Sequence, residues 1–394
     1  MSTVASAAEL VFPTDFVWGT AASATQAEGA GADSDWLAWE RAGRAPASGD
    51  GNGFGTRFAE DFALLAEWGL LHHRLSLDWS RLEPTPGRFD QRAVEHYRAM
   101  LAAGREAGLT VWACLLHGAL PSWFTAEGGF LHPEAAARWR RWVEFAAETF
   151  GDLVSGWKPV NGPASFATKR YLTGQFPPGV TDRTMFGRAL RAIQVADFEA
   201  ARLLRTTGRP TASVAALAPV IPGSEAARPA AKAFDGVLWD SWLGLARSDA
   251  YGDAFDYIGF SYYFAVEIGE AGQPRPYPPG RAVGPQGYVP WPEGLRLVLD
   301  RLAEELPGRR LLVSELGYGG SDDAARVEYL SQALAHVNAA MRDGVDVAGV
   351  FLWTGVDNYE WTDGYTVPFG LFTADRQPRG SADFVRNVIQ RSRR

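Results

Sequence analysis

Carboxylates, amides and indoles recur at the ends of short apolar runs in this chain of 394 residues. Glu315 closes the run RRLLVSE, Asn161 follows SGWKPV, and His117 follows LTVWACLL. Amides and carboxylates can make paired hydrogen bonds to neighbouring hydroxyls, and an indole can stack on the apolar face of a sugar ring. These residue types together predict a carbohydrate pocket.

The same pattern extends to most of the predicted strands. Polar or aromatic side chains stand on or just after seven of these strands, and the candidates are Gln26, Arg74, Asp78, His117, Asn161, Tyr263, Glu315 and Trp353, followed by Glu360 and Trp361. Folding alone does not require such groups at these positions. They are therefore candidates for function.

Eight β-like runs alternate with amphipathic helical patterns and must position these residues. The predicted strands are 16–21, 72–77, 109–116, 155–160, 213–220, 255–263, 309–315 and 347–353, and the predicted helices are 57–68, 91–107, 134–150, 182–206, 292–305, 322–343 and 381–391. Each parallel pairing needs a crossover, so the order favours the α/β class, with residues 1–394 forming a single (β/α)8 TIM barrel. Segments 45–56 and 270–290 are predicted as long βα loops, and chemistry is expected at the C-terminal ends of the strands.

Composition excludes several other classes of protein. The net charge is −8 and there is no lysine- or arginine-rich run, so no nucleic-acid partner is expected. Cys114 is the single cysteine, which rules out an intramolecular disulfide and a cysteine-based zinc cluster. No run approaches the roughly 18 apolar residues of a membrane span, and MSTVASAAEL lacks the basic segment of a signal peptide. We therefore expect no membrane partner and a cytoplasmic location.

Six motifs in order resemble glycoside hydrolase family 1, the β-glucosidase-type retaining enzymes. They are FPTDFVWGTAASATQAEGA (12–30), HRLSLDWSRLEP (73–84), LLHGALPSWF (115–124), FDYIGFSYY (255–263), VSELG (313–317) and FLWTGVDNYEWTDGYTVPFGLFTAD (351–375). Each motif alone is weak evidence, but their common order makes coincidence a poor explanation.

The resemblance implies a role for each matching residue. Glu315 would be the nucleophile, with Arg74 and Tyr263 flanking it, and an adjacent guanidinium favours the charged form of a carboxylate. The residues expected to contact the sugar are Gln26, His117, Asn161, Glu360 and Trp361, with Trp353 as the stacking floor. Glu28 is interpreted as structural.

The second carboxyl of the family is missing. A retaining glycosidase uses two carboxyls about 5–5.5 Å apart, and the family carries the second in a Thr-x-Asn-Glu-Pro run. Here the run is PVNGP, with Gly162 at the position of the glutamate. The leaving group could depart without protonation, as in the family's plant thioglucosidases. Alternatively, Asp78 could donate the proton from the strand face that it shares with Arg74, or the glycine could have been introduced in the laboratory.

Other departures from the family pattern fall near the same rim, and the segment around 220–250 is shorter than usual. The positions are Gly118, Ser261, Leu316 and Pro368. Three changes, at Gly118, Gly162 and Ser261, remove side-chain volume. We therefore favour natural divergence towards a larger or unusual ligand, with altered proton handling.

Two functions follow from the resemblance. The first is a retaining β-glycosidase or transglycosidase for β-D-glucosides or related sugars, with weak hydrolysis of ordinary glycosides. The second is a repurposed barrel, either a glycoside-binding protein without turnover or a catalyst of another step in secondary metabolism. The expected partner is a small-molecule glycoside or glycosylated natural product, and homo-oligomerisation stays open. No metal and no organic cofactor are implied, because the displacement needs only carboxylates.

Overall fold

The structure is a computed structural model that describes residues 10–393. The prediction that no signal peptide is present depends on the first ten residues, of which 1–9 lie outside the described part. The strands are β1 (Val17–Ala21), β2 (His72–Ser76), β3 (Thr110–Leu116), β4 (Gly156–Val160), β5 (Ala215–Ala216), β6 (Val220–Pro222), β7 (Ile258–Tyr262), β8 (Ala265–Ile268), β9 (Pro274–Tyr277), β10 (Leu311–Leu316) and β11 (Val347–Leu352).

Eight of these strands form one sheet in which every neighbouring pair is parallel. The order is β4-β3-β2-β1-β11-β10-β7-β5, which follows the chain around a circle. The sheet closes where Asn161 pairs with Val214, because the backbone N–H of Gly162 donates to the Val214 carbonyl at 2.8 Å. The predicted (β/α)8 barrel is therefore confirmed.

Helices follow the strands, and the predicted helices are all present with small shifts at their ends. The α-helices are α1 (Ala24–Glu28), α2 (Asp35–Arg41), α3 (Phe54–Glu67), α4 (Trp79–Leu82), α5 (Gln91–Glu106), α6 (Ser122–Ala126), α7 (Ala135–Phe150), α8 (Pro163–Ala167), α9 (Arg183–Arg205), α10 (Arg228–Asp235), α11 (Ser241–Ala246), α12 (Glu293–Glu305), α13 (Asp323–Arg342) and α14 (Gly380–Ser392).

Aspartates fix the starts of three long helices. Asp90 accepts hydrogen bonds from the first-turn N–H groups of α5, and Asp182 accepts one from Met185 N of α9 at 2.7 Å. Asp322 does the same for α13. A side-chain oxygen at this position satisfies a donor that has no partner within the helix, so the chain leaves each preceding loop at a defined residue.

Two sequence predictions need correction. The fifth strand, predicted over 213–220, is only the pair Ala215–Ala216, and Val220–Pro222 belongs to a separate sheet of order β6-β8-β9. The segment 270–290, predicted as a loop, contains β9. Its sequence PRPY lies at the edge of the small sheet, where a proline without an N–H is tolerated.

The apolar side chains form two main layers. One fills the space between the barrel and its helices. The other lies inside the barrel and contains Ala21, Trp112, Ala212, Leu312, Ala348, Phe351, Trp353, Val367 and Phe369. Strands β10 and β11 are buried along their whole length, as expected for parallel strands covered on both faces. Within residues 10–393, no helix is both long enough and apolar enough to cross a bilayer.

Candidate functional site

The barrel brings the predicted site residues together at the C-terminal ends of its strands. Glu315 lies within β10 and Arg74 within β2. His117, Asn161, Tyr263 and Trp353 directly follow the last residues of β3, β4, β7 and β11. The C-terminal ends of parallel strands in a barrel lie at one rim. Hydrogen bonds connect several of these residues there.

Both oxygens of the Glu315 carboxylate are held by hydrogen bonds. Arg74 Nη2 donates to Oε1 in a buried ion pair, and the Tyr263 hydroxyl donates to Oε2 at 2.8 Å. Burial, and then the neighbouring Glu315 carboxylate, raise the pKa of Tyr263 well above its ordinary value. The phenol therefore keeps its proton and can only donate. This fixes the plane of the carboxylate.

The same guanidinium also orients the amide and the imidazole at the ends of the next two strands. Arg74 Nη1 donates to Asn161 Oδ1 at 2.9 Å and lies 2.9 Å from His117 Nδ1. Because a guanidinium only donates, His117 Nδ1 accepts, and its neutral ring carries the proton on Nε2. The Asn161 amide nitrogen lies 3.1 Å from His117 Nε2. Burial, followed by Arg74 and Lys169, lowers the pKa of His117 well below its usual range, which keeps the imidazole neutral.

Glu360 and Trp353 form a second buried polar pair. The Trp353 indole N–H donates to Glu360 Oε1 at 3.0 Å, and Arg74 lies 5.5 Å from the centre of the Trp353 ring. Burial raises the pKa of Glu360 to about 8, although the Trp353 hydrogen bond and the Lys169 charge oppose this rise. At neutral pH this carboxyl mostly carries its proton and can both donate and accept.

Gln26 lies in α1, after the first strand, and connects this helix to the loop that carries Glu360. Its side-chain amide donates to the Tyr359 carbonyl at 2.8 Å and accepts from Ser23 Oγ at 2.8 Å. The Gln26 carbonyl accepts from Tyr359 N at 3.1 Å. Gln26 therefore fixes the backbone beside Glu360, and its side chain is buried.

Trp361 occupies the space that a side chain at position 118 would need. A Cβ added at Gly118 would lie 2.3 Å from the Trp361 ring, and the backbone there has φ +85°. Trp361 itself has φ 53°, a conformation that costs a non-glycine residue about 1–3 kcal/mol and is concentrated at binding sites. Its ring stacks near His117, with centroids 6.5 Å apart. Gly118 therefore accommodates Trp361 and does not enlarge the pocket, which corrects the sequence interpretation.

With this geometry in place, comparison with known proteins decides the family. The sequence model described as Glycosyl hydrolase family 1 matches residues 8–237 and 253–393. The chain belongs to glycoside hydrolase family 1. The resemblance inferred from the six motifs is therefore confirmed.

Individual members of glycoside hydrolase family 1 are similar over almost the whole chain. A β-glycosidase from Pyrococcus horikoshii superposes with a TM-score of 0.89 at 28% identity, covering 98% of this chain and 96% of that one. Thermostable β-glucosidase B of Thermobispora bispora is 27% identical over 98% of this chain and 92% of its own length. Galactolipid galactosyltransferase SFR2 of Arabidopsis thaliana is 28% identical over 84% of this chain and 55% of its own length.

In this family member the end of β4 carries Gly162 where a carboxyl was expected. Gly162 is the N-cap of α8 and has φ +55° and ψ 60°. A Cβ added there would meet Ser165 Cβ at 3.5 Å and Ala216 Cβ at 3.7 Å, which are ordinary contacts. The position therefore has room for a side chain, but its backbone favours glycine.

Asp78 is engaged in local structure. It lies beyond the end of β2, at the N-cap of α4, so the predicted alternation with Arg74 along one strand does not apply. Its carboxylate accepts from Ser80 N at 2.9 Å, Ser80 Oγ at 2.6 Å and Arg81 Nε at 3.2 Å. These contacts favour a structural, salt-bridged role for Asp78 over the role of proton donor.

We expect Asp78→Asn to keep kcat/KM on a phenyl β-glucoside within about threefold, because asparagine also caps helices well. Stability should fall by about 1 kcal/mol or less, since only the partly exposed Arg81 loses its charged partner. Steady-state kinetics and urea unfolding measure the two quantities. A loss of about 100-fold or more in kcat/KM, with unfolding unchanged, would instead identify Asp78 as the proton donor.

Glu28 lies in the same structural cluster as Asp78. The Tyr97 hydroxyl donates to Glu28 Oε2 at 3.0 Å, and Arg81 Nη2 donates to the Glu28 carbonyl at 3.3 Å. Burial raises the pKa of Glu28 to about 8. These contacts support the interpretation of Glu28 as a structural residue.

Two lysines near the site were not singled out from the sequence. Lys158 lies fully buried inside the barrel, with Nζ 3.4 Å from Ser314 Oγ and 3.5 Å from the centre of the Phe351 ring. Lys169 lies in the turn after α8 and is partly exposed. The signal that could have found them is composition, because the sequence contains only three lysines.

Proposed function

We propose that this chain is a retaining β-glycosidase that acts on β-D-glucosides or related sugars through a covalent glycosyl–Glu315 intermediate. The observation that carries this proposal is the Glu315 carboxylate fixed between Arg74 and Tyr263. A protein that only binds sugars has no need for an oriented, ion-paired carboxylate at the rim of the barrel. Covalent catalysis needs such a group, held so that one oxygen can attack the anomeric carbon.

The surrounding residues suit a pyranose ring. We assign the binding of its hydroxyl groups to five side chains, with Trp353 beneath the ring, and the five are Gln26, His117, Asn161, Glu360 and Trp361. The protonated Glu360 can donate as well as accept, as sugar hydroxyls do, and the neutral His117 keeps one ring N–H as a donor. Their fixed contacts support a pre-formed pocket for a small glycoside or glycosylated natural product.

This chain differs from an ordinary retaining glycosidase because it lacks the carboxyl group that normally transfers protons. Gly162 has no side chain and therefore cannot protonate a leaving oxygen or deprotonate water. General acid–base catalysis contributes about 10²–10⁴-fold. If no other residue transfers this proton, hydrolysis of ordinary alkyl glycosides will be weak, and we propose that activated leaving groups or transfer to an acceptor are then favoured.

A second candidate is a repurposed barrel without net hydrolysis. Two observations favour it: Gly162 itself, and the similarity to a chloroplastic galactolipid galactosyltransferase, a protein named for glycosyl transfer. Under this alternative the site binds a glycoside without turnover, or catalyses another step in secondary metabolism. The retained contacts of Glu315 weigh against pure binding.

Covalent labelling of Glu315 tests the first candidate. We expect 2-deoxy-2-fluoro-β-glucosyl or -galactosyl fluoride to add one fluoroglycosyl group to the peptide that contains Glu315. The 2-fluorine slows both formation and hydrolysis of the intermediate, whereas the fluoride leaving group speeds only its formation, so the intermediate accumulates. Intact-protein and peptide mass spectrometry measure the adduct, and Glu315→Gln is the unlabelled control. Binding of these sugars without any adduct would reject the covalent mechanism and favour the binding protein.

A further inference from the structure

The chain uses lysine very rarely. Of its 38 lysine and arginine residues only Lys158, Lys169 and Lys232 are lysines. Arginine stays protonated in proteins, whereas a buried lysine can lose its proton near neutral pH. Lys232 is exposed on α10, but the other two lie at or beneath the candidate site. A chain that otherwise relies on arginine thus places titratable ammonium groups beside its carboxylates.

Lys169 follows directly from the position of the missing carboxyl. Helix α8 begins after Gly162 and continues without a break into a π-helical turn, Thr168–Leu172. Lys169 is the second residue of that turn, seven residues after Gly162, and each Cα–Cβ bond of a helix tilts towards the helix N-terminus. The Cα–Cβ bond of Lys169 therefore points towards the N-terminal end of α8, which Gly162 caps.

The side chain of Lys169 reaches the aromatic wall of the site. Its Nζ lies 4.9 Å from the centre of the Phe176 ring, and Phe176 packs against Trp361 with ring centroids 5.0 Å apart. The ring of Trp361 in turn stacks near His117. The ammonium group therefore contacts the aromatic side chains that border the proposed sugar pocket.

Electrostatic interactions couple the Lys169 ammonium, which contacts Phe176, to titratable groups of the site. Its charge interacts with the carboxyl groups of Glu360, Glu315 and Asp363. It also lowers the pKa of His117 and opposes the raised pKa of Glu360. Four titratable groups, Glu315, Glu360, Asp363 and His117, thus interact with the charge of Lys169.

No hydrogen bond or ion pair within residues 10–393 holds the Lys169 ammonium in place. The neighbouring Arg170 donates to Asp35 Oδ2 at 2.8 Å and to the Gly118 carbonyl at 2.6 Å, and is buried. In contrast, the Lys169 ammonium has no hydrogen bond or ion pair to any residue between 10 and 393. Its flexible side chain is free to contact a substrate.

We propose that Lys169 supplies the proton transfer that Gly162 cannot, and this inference rests on the proposed covalent mechanism. As Glu315 attacks the anomeric carbon and the bond to the leaving oxygen breaks, the ammonium gives a proton to that oxygen. The neutral amine then takes a proton from the water that attacks the anomeric carbon of the glycosyl–Glu315 ester. This step releases the sugar and restores both the ammonium and the carboxylate.

The environment of Lys169 suits both steps. Burial lowers its pKa from the ordinary lysine value, while Glu360, Glu315 and Asp363 oppose that change. A lower pKa makes the ammonium a better acid and lets the neutral amine persist long enough to act as a base. Lys158 is not equivalent, because its side chain is fully buried inside the barrel.

Two substitutions at position 169 separate proton transfer from charge. Lys169→Met should lower kcat/KM for phenyl β-glucoside by about 10²–10⁴-fold, and by less than about tenfold for 2,4-dinitrophenyl β-glucoside, whose leaving group needs no proton. Lys169→Arg should lose as much as Lys169→Met, because a guanidinium keeps the charge but not an exchangeable acid–base function. Lys232→Met is the matched control and should match the wild type. Circular dichroism checks that each variant folds.

The pH profile and azide give independent tests. The kcat/KM of the wild type on phenyl β-glucoside should fall as pH rises through the pKa of Lys169, and this alkaline limb should be absent from Lys169→Arg. Azide should accelerate turnover of 2,4-dinitrophenyl β-glucoside by Lys169→Met, with a β-glycosyl azide as product. It should leave the wild type unchanged, because the amine already assists water.

The outcomes distinguish this inference from the mechanism on which it rests. Wild-type activity in Lys169→Arg would show that only the charge matters, and acceleration of the wild type by azide would show that no internal base exists. Either result overturns the role of Lys169, as does a labelled wild type that does not cleave phenyl β-glucoside. Failure of the fluorosugars to label Glu315 would instead reject the covalent mechanism itself.

Discussion

Glu315→Gln should lower kcat for 2,4-dinitrophenyl β-glucoside by roughly 10⁴–10⁶-fold, the order of loss that follows removal of a catalytic nucleophile. The substrate has an acidic leaving group, so its cleavage depends on nucleophilic attack and not on proton donation. A neutral amide is a poor nucleophile, and the proposed glycosyl ester cannot form. Stopped-flow detection of dinitrophenolate measures both the first turnover and the steady state.

Glu315→Gln should also be less stable. It leaves the guanidinium of Arg74 without its buried anion, and breaking a buried ion pair typically costs about 3–5 kcal/mol. The remaining contacts of Arg74 with Asn161 and His117 favour the lower part of that range. Urea unfolding followed by tryptophan fluorescence measures this loss and shows whether the inactive protein is folded.

A second variant separates chemistry from stability. Glu315→Asp keeps the charge beside Arg74 but withdraws the carboxylate by one methylene, and a misplacement of about 1 Å can cost about 10²-fold. It should therefore be more stable than Glu315→Gln and still strongly impaired. Glu328→Gln, on the exposed face of α13, is the matched control and should behave as the wild type. Activity of Glu315→Gln within tenfold of the wild type would contradict the assignment.

The barrel itself was predictable because its strands carry long apolar runs. β3 and β10, for example, are almost entirely buried, and residues of this type between helical patterns specify a covered parallel sheet. The place of Glu315 at a strand end followed from the same pattern. The pairing of Glu315 with Arg74 and Tyr263 was expected from family resemblance, since spacing along the chain carries no information on such distant contacts.

The sequence analysis was wrong or incomplete at positions where the local sequence pattern indicates one structure and contacts with distant residues produce another. β9 contains two prolines, which normally indicate a loop, yet it lies at an edge where neither proline has to donate. Gly118 was interpreted as lost volume, but the indole of Trp361, distant in sequence, fills that space. Lys169 was missed because its relation to Glu315 and Glu360 exists only in the folded chain.

Gly162→Glu should restore the missing proton transfer. In the Lys169→Met background, we expect kcat/KM for phenyl β-glucoside to rise by about 10²–10⁴-fold, and that for 2,4-dinitrophenyl β-glucoside to change only a few-fold. The nearest side-chain atoms, Ser165 Cβ and Ala216 Cβ, would lie 3.5 and 3.7 Å from the added Cβ and leave room for it. The backbone at φ +55° should make the variant less stable by about 1–2 kcal/mol.

Two controls isolate the carboxyl in Gly162→Glu. Gly162→Ala carries the backbone cost alone, and Gly162→Gln adds an equally long side chain that cannot donate an acidic proton, so neither should accelerate cleavage. If Gly162→Glu is no faster than Gly162→Gln, position 162 does not face the leaving oxygen. In the otherwise wild-type chain the gain should be smaller than in the Lys169→Met background, because the ammonium of Lys169 already performs the same step. Equal gains in both backgrounds would mean that Lys169 transfers no proton and that hydrolysis in this chain proceeds without internal acid–base catalysis.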